Sequence, residues 1–233
     1  SNGKFFPLFS RMADSNDWKQ PVTLYSTVIG FKLFGISFSN LRMVSAIFVL
    51  LGGTIIFFLG KVLFDLKLAA ISLLIFLTTP IVLIQSHLAM ENIAPVPFIA
   101  FWLLMLAKYG KKMQAKYLIL AGLSLGLALY SYLGMRLVAP VLVAETFLYL
   151  FVLNYTGKTR ILKNHLLLFL LIIFPFLMSL FLVRIQYHGA VLGLYHPYQI
   201  TSYQQLLLPF ISSFDPSFLY FSGDITPYHS TGK

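Results

Sequence analysis

Cysteine is absent from the 233-residue chain, so neither a disulfide framework nor a cysteine metal site can form. Charged residues are also scarce: they make up 10% of the sequence, whereas soluble domains carry about a quarter. Hydrophobic residues make up 58% and aromatic residues 16%. A chain of this composition cannot cover itself with polar surface, which indicates a polytopic membrane protein.

Several motifs that would indicate soluble enzyme classes are missing too. No His-x-x-x-His metal motif, P-loop or Rossmann glycine pattern occurs. The chain opens on Ser1 without a signal peptide and ends in a polar stretch, so we interpret it as an internal piece of a longer protein. Its net charge of +10 follows the predicted topology, so we expect anionic membrane lipids as partners and no nucleic acid.

Long apolar runs predict an all-α bundle that crosses the membrane about six times, because a transmembrane helix needs about 20 apolar residues. A further apolar stretch, 22–36, is interrupted by Lys32. It is either a seventh span or an amphipathic helix at the interface, and we favour the amphipathic helix. The predicted units are a first outer loop with this interfacial helix (1–42), a membrane bundle (43–185) and a second outer loop (186–233). The predicted spans are 43–64, 69–86, 94–107, 117–133, 137–153 and 164–183.

Basic residues predict the orientation of the bundle. Lysines and arginines fall in three alternate turns, near 61–67, 108–116 and 158–163, whereas the short turns between them hold only Arg136. The positive-inside rule places the lysine-rich turns in the cytoplasm. The N-terminal loop, the stretch SHLAMEN, the turn 131–136 and the tail then share the extracytoplasmic side of a plasma membrane.

Two ionisable residues of the stretch SHLAMENIAP, His87 and Glu91, lie four positions apart and would share a helix face. A carboxylate at a membrane boundary is costly unless it is solvated, paired or functional. A solvated turn is the simple interpretation, but no lysine accompanies Glu91 in this turn, which favours a cavity-facing role. Glu145, about 12 Å deep in a predicted span, is interpreted as protonated or paired with a neighbouring helix, outside the site.

Two other outer segments hold candidate ligands for an anion. The stretch SNDWKQPVTLY is either a capped surface helix or a loop that presents Asp17 and Lys19 to an anionic lipid headgroup. Arg136 follows Tyr130 and Tyr132, and the tyrosines fit an ordinary interfacial belt. Arginine binds phosphate through a fork of donors, so Arg136 predicts a phosphate ligand.

Six stretches in order resemble the bacterial branch of the dolichyl-phosphate-mannose-protein mannosyltransferase-like enzymes, glycosyltransferase family 39 of the GT-C class. They cover nearly the whole chain: GKFFPLF, WKQPVTLY, FGISFSNLRMVSA, SHLAMEN, ALYSYLGMR and DPSFLYFSGDITPYHS. The resemblance implies a multi-span enzyme that takes a sugar from a polyprenyl phosphate. It implies transfer of that sugar to an acceptor protein, glycan or lipid on the outer side of the membrane.

The resemblance also implies roles for individual residues. The lysine-proline motif of the family matches Lys19 and Pro21, with Gln20 in place of a more usual proline. The family's essential Asp-Glu pair would fall upstream of Ser1, so we expect this chain to lack the main catalytic acid. The second outer acid of the family matches Glu91. Its arginine after paired tyrosines matches Arg136. Its Gly-Asp…His loop matches Gly223, Asp224 and His229.

Together these arguments give two sets of candidate residues. The catalytic candidates are Glu91 and Asp17, which would orient the acceptor or hold a divalent metal ion; no cofactor is predicted with certainty, and the metal stays open. The substrate-binding candidates are Lys19, Tyr25, His87, Arg136, Asp224 and His229.

Two other functions compete with sugar transfer. A transporter or flippase for a lipid-linked or anionic substrate predicts internal repeats and helices broken at mid-membrane, and the sequence shows neither. A structural membrane subunit predicts no clustering of polar residues on one face, which disagrees with the four polar segments on the outer side.

Overall fold

The computed structural model describes residues 9–11, 18–88, 91–155 and 162–186. These ranges are almost wholly helical, which confirms the predicted all-α membrane bundle. A two-residue antiparallel ladder, which was not predicted, pairs Ser10 with Lys19 and Arg11 with Trp18. The elements are β1 (Ser10–Arg11), β2 (Trp18–Lys19), α1 (Pro21–Phe34), α2 (Phe38–Leu63), α3 (Leu66–Thr78), α4 (Pro80–His87), a 3₁₀ turn (Glu91–Ile93), α5 (Val96–Lys112), α6 (Ala115–Leu129), α7 (Met135–Tyr155) and α8 (Leu162–Gln186).

Short polar residues and prolines begin the helices. The Ser37 hydroxyl accepts a 3.1 Å hydrogen bond from the Asn40 N–H at the start of α2. At the start of α3, Asp65 Oδ1 accepts a 2.8 Å bond from the Leu68 N–H. Pro21 begins α1, where a missing N–H has little cost. The sequence therefore contains the local signals that divide the apolar runs into separate helices.

The predicted span 69–86 is broken at Thr79, where α3 and α4 meet at an angle of 57°. Pro80 causes the break because proline disfavours a helical conformation in the residue before it, and Thr79 has an extended backbone. The Thr79 hydroxyl donates to the Ile75 carbonyl at 2.6 Å. Side-chain hydroxyls of this kind satisfy carbonyls that a broken helix leaves open in a membrane.

Four of the described helices are long and apolar enough to cross a membrane, and the bent pair α3–α4 would be a fifth. The sequence predicted about six. The difference is α6, which has 15 residues and is about 22 Å long at 1.5 Å per residue, shorter than a hydrocarbon core of about 30 Å. The helix ends there because the chain turns at Tyr130 and Ser131 instead of continuing to residue 133.

Helix α1 is not the amphipathic helix that was predicted over 22–36. Its outward surface carries the exposed apolar residues Val28, Ile29 and Leu33 beside the exposed Lys32. Polar and apolar side chains are therefore mixed on that surface instead of lying on opposite faces. At 14 residues, α1 packs along α2 and is shorter than the helices that could span a membrane.

Helices α2, α5, α6 and α8 pack one against the next, with α3 and α4 against α2, and α7 against α6 and α8. Close approach of α2 and α3 requires glycine at position 60, because a Cβ there would lie 2.8 Å from the Ala69 Cα. The largest core cluster lies between α5, α6 and α8, and Trp102, Leu118 and Phe169 are buried in it. Up-and-down connection of these helices places alternate turns at opposite ends of the bundle.

The lysine-rich turns near 61–67 and 108–116 lie together at one end, beside the start of α8. Lys111 Nζ donates to the Val62 carbonyl, and the Tyr109 hydroxyl lies 2.9 Å from His165 Nδ1. The stretch Glu91–Lys112 leads from the other end to this one over roughly 30 Å at 1.5 Å per residue. The outer segments of the sequence analysis, so far as the structure describes them, meet at that other end.

Candidate functional site

Gln20 lies at the point where three distant segments of the chain meet. It is fully buried at the start of α1, and its backbone N–H donates a 2.7 Å hydrogen bond to Glu91 Oε1 in the 3₁₀ turn. Its side-chain oxygen accepts a 2.7 Å bond from Arg136 Nη2 in the first turn of α7. Its amide nitrogen donates to the Trp18 carbonyl at 3.1 Å. Gln20 therefore links the acid and the arginine of the predicted site.

The start of α1 is also joined to the turn between α6 and α7. The Val22 N–H donates to the Tyr130 carbonyl at 3.1 Å, and the Thr23 hydroxyl donates to the Ser131 carbonyl at 3.0 Å. The first N–H groups of a helix have no partner within it, so they are available for such contacts. These bonds fix the position of Gln20 relative to Arg136.

An aromatic row extends from Arg136 towards α8. The Arg136 guanidinium carbon lies 5.8 Å from the centre of the Phe9 ring, within cation–π range. Phe9 is 6.4 Å from the Tyr130 ring, and Tyr130 is 6.5 Å from the Phe176 ring. The Tyr130 hydroxyl also forms a hydrogen bond with the Ser179 hydroxyl. The arginine is thus positioned on one side by an amide and on another by an aromatic ring.

Tyr130 remains a neutral phenol in this environment. Burial raises its pKa above the ordinary value, and the hydrogen bond to Ser179 and the charge of Arg136 oppose that increase. A neutral phenol can still donate or accept a hydrogen bond. The end of α6 therefore carries a fixed polar group without adding charge beside Arg136.

The site holds an acid and an arginine that both contact Gln20. Glu91 is buried, with 8% of its surface exposed, and one of its oxygens is occupied by the Gln20 N–H. The Gln20 bond to Arg136 comes from a neutral amide, so it orients the guanidinium without cancelling its charge. Arginine held in this way can offer further N–H donors to a phosphate or carboxylate.

The comparison with protein families gives one result: a model described as dolichyl-phosphate-mannose-protein mannosyltransferase matches residues 18–179. The match spans more than two thirds of the 233 residues. The chain belongs to this family. It is therefore a mannosyltransferase-like membrane glycosyltransferase of the GT-C type, as the resemblance implied. No curated protein and no solved structure matches the chain.

The region that matches the family model contains every residue of the site described above except Phe9. It includes Gln20, Glu91 and Arg136 as well as Tyr130.

The remaining predicted residues are placed less centrally. Lys19, in β2, and Tyr25, in the second turn of α1, are half-buried beside Gln20 in the sequence. His87 is exposed at the end of α4, where Nδ1 lies 2.8 Å from the Leu83 carbonyl and 3.0 Å from the Ser86 hydroxyl. These contacts hold the His87 ring against its own helix and do not join it to the other candidate residues. Asp17, Asp224 and His229 lie outside the described residues.

Sequence reasoning did not include Gln20 among the site residues, although it is central to this mannosyltransferase-like site. The available signal was its position: a polar side chain stands where the family resemblance implied a proline. Phe9 and Ser179 gave no comparable signal, because their roles depend on contacts across more than 40 residues of sequence. In the described part of the chain no three His, Cys, Asp or Glu residues lie close enough to hold a metal ion, and the divalent ion stays an open prediction.

Proposed function

We propose that this mannosyltransferase-like protein transfers a sugar from a polyprenyl-phosphate donor to an acceptor hydroxyl on the extracytoplasmic face of the plasma membrane. Family membership supports glycosyl transfer. The proposal of donor and face rests on one observation: Glu91 and Arg136 both contact Gln20, at the end of the bundle opposite the lysine-rich turns near 61–67 and 108–116. By the positive-inside rule, that end faces away from the cytoplasm.

In the proposed reaction the acceptor oxygen attacks the anomeric carbon of the sugar. The bond between that carbon and the phosphate oxygen breaks, polyprenyl phosphate leaves with the electron pair, and the acceptor proton passes to a base. Phosphate is already a good leaving group, so the protein must supply a base and stabilise the phosphate charge. Arg136 is our main candidate for the phosphate contact. Lys19, which precedes Gln20 in the sequence, is the second cation that we propose.

For Glu91 we propose a positioning role. Its carboxylate is buried and accepts the Gln20 N–H at 2.7 Å, so it fixes the residue that orients Arg136. A base must instead reach the acceptor hydroxyl within hydrogen-bond distance. We assign that role to an acid outside the described residues, with Asp17 as the candidate.

The test is a steady-state assay of the full-length protein in proteoliposomes with a radiolabelled polyprenyl-phosphate sugar. Replacing Arg136 with Ala should raise the KM for the donor at least tenfold, because one charge-assisted contact to the phosphate is lost. Arg42→Ala is the matched control, since Arg42 is an exposed arginine near the start of α2. An unchanged donor KM in Arg136→Ala would refute the phosphate role.

One observation favours the alternative of a transporter or flippase, namely the 57° break between α3 and α4. Broken helices often surround substrate sites in transporters. In a flippase, the labelled lipid would cross the bilayer of the proteoliposomes without losing its sugar. Accumulation of intact donor in the opposite leaflet, with no sugar on any acceptor, would support that alternative over the transferase.

A further inference from the structure

The side-chain oxygen of Gln85 is buried without a hydrogen-bond partner. Gln85 lies in the second turn of α4, and its side chain as a whole is half-buried. Its Oε1 has no hydrogen-bond partner in the part of the chain that the structure describes. A buried acceptor in this state lowers stability, and folded proteins contain few of them. Gln85 is therefore a candidate to accept a hydrogen bond from a bound molecule.

Two other buried polar side chains show how packing satisfies such groups. The Ser124 hydroxyl donates a 2.6 Å hydrogen bond to the Phe98 carbonyl, which joins α6 to α5. Gln20 carries the same amide as Gln85, and there the nitrogen donates to the Trp18 carbonyl while the oxygen accepts from Arg136. The same chemical group is thus fully used at position 20, whereas its oxygen is left open at position 85.

Gln85 lies on the face of α4 that is turned toward the bundle. Val82, three residues earlier and therefore on the same helix face, packs against a cluster of buried apolar residues. Leu83 and His87, which share the opposite face, are exposed. His87 follows Gln85 by two residues, which is about 200° around a helix of 3.6 residues per turn. The burial of Gln85 Oε1 therefore follows from the direction in which α4 packs.

The cluster that Val82 contacts also supports the Gln20 site. Its buried residues are Val44, Phe48, Val49, Ile93 and Ala94. Val22, two residues after Gln20, packs against this cluster as well, and Ile93 follows Glu91 by two residues. Helix α4 also packs directly against the 3₁₀ turn that begins at Glu91. Gln85 therefore lies at the same end of the bundle as Gln20 and Glu91.

The chemistry of the proposed substrates limits which group can donate to Gln85. The isoprenoid chain has no polar hydrogen, and the ionised phosphate can only accept. The acceptor hydroxyl must lie against the base that takes its proton, and a neutral amide is not such a base. The hydroxyls of the sugar remain, and each of them can donate to an amide oxygen.

We propose that Gln85 recognises the sugar of the lipid-linked substrate by accepting a hydrogen bond from one of its hydroxyls. This inference rests on the proposed function, from which it takes its ligand. Binding of the sugar then satisfies an acceptor that folding leaves open. A site built to bond a hydroxyl discriminates strongly against a ligand that lacks it, so Gln85 helps to distinguish polyprenyl phosphate that carries a sugar from polyprenyl phosphate that carries none.

The test is Gln85→Met in the full-length protein, which keeps the length of the side chain but removes its amide. Unfolding in a denaturing-detergent titration should need more detergent than in the wild type, because an open acceptor is removed. The dissociation constant of polyprenyl-phosphate mannose should rise by about three- to tenfold, the size expected for one lost hydrogen bond. That of polyprenyl phosphate without sugar should not change. Gln114→Met, at an exposed glutamine between α5 and α6, is the matched control and should alter none of these values.

The two measurements can each overturn the proposal. Unfolding of Gln85→Met at a lower detergent concentration would show that Gln85 already has a partner in the free protein. Equal dissociation constants of polyprenyl-phosphate mannose in the wild type and in Gln85→Met would refute the hydroxyl contact. Neither measurement needs turnover, so failure of the wild type to transfer sugar would refute the proposed function alone, whereas transfer with unchanged binding in Gln85→Met would refute this inference alone.

Discussion

Arg136 and Gln20 lie 116 residues apart in the sequence, yet Arg136 Nη2 donates a 2.7 Å hydrogen bond to Gln20 Oε1. The same Gln20 donates its backbone N–H to Glu91. The neutral, fully buried side chain of Gln20 thus fixes the position of the Arg136 guanidinium, and Glu91 fixes the main chain of Gln20. Changes at Gln20 should therefore act on Arg136 without removing it.

Gln20→Glu should preserve the hydrogen bond to Arg136 but place a negative charge against it. The new carboxylate pairs with the guanidinium and repels a phosphate, so we expect the KM for a polyprenyl-phosphate donor to rise about tenfold. Gln114→Glu, at an exposed glutamine between α5 and α6 at the lysine-rich end, is the control with the same change of charge. Equal donor KM values for the two variants would contradict this account.

Substitutions at Glu91 distinguish a positioning residue from a general base. Glu91→Gln keeps an oxygen that can accept the Gln20 N–H, so kcat should fall only a few-fold. Glu91→Ala leaves that buried N–H without its acceptor, which should cost about 1–3 kcal/mol of folding free energy. The measurements are kcat and the free energy of unfolding in a denaturing-detergent titration. A loss of kcat by a factor of about 10² to 10⁴ in Glu91→Gln would instead indicate a base.

The sequence predicted the class of fold because apolar runs and lysine positions are local signals. Runs of about 20 apolar residues are required wherever a helix crosses lipid, and lysine-rich turns such as that of Lys111 mark one end of each helix pair. These signals placed Glu91 and Arg136 at a common end of the predicted bundle. The same signals failed for the span 69–86, since hydropathy does not register the backbone restriction that Pro80 imposes on Thr79.

The details of the site depended on contacts that are not local. The Gln20 bonds join positions separated by 71 and 116 residues, and no pattern of spacing within either segment encodes such a pairing. Glu145 is exposed on α7, and its outward direction likewise depends on the bond between Trp102 and Thr146. A sequence places an acid in a span, but only the packed helices determine which way it faces.

Pro80 should set the angle between α3 and α4. With 13 and 8 residues and the 57° bend, the ends of the pair lie about 28 Å apart, against about 32 Å for a straight helix at 1.5 Å per residue. Pro80→Ala removes the restriction on Thr79, so we expect the distance between spin labels at Leu66→Cys and His87→Cys to increase by about 3 Å. Pro140→Ala, at a proline that stays within α7, should leave it unchanged. No increase in Pro80→Ala would show that tertiary packing, not proline, maintains the bend.

The bond between Trp102 and Thr146 should stabilise the contact of α5 with α7. The Thr146 hydroxyl accepts from the indole N–H at 3.0 Å and donates to the Leu142 carbonyl at 2.8 Å. Thr146→Val keeps the shape but leaves the buried indole N–H without an acceptor, which should lower the free energy of unfolding by about 1–3 kcal/mol. Thr146→Ser, which keeps the hydroxyl, should retain most of the original free energy of unfolding. Thr54→Val is the control, because the Thr54 hydroxyl also donates four residues back along its own helix, to Leu50, but is exposed. If a detergent titration gave equal losses for Thr146→Val and Thr54→Val, the cross-helix bond would contribute nothing measurable to the free energy of unfolding.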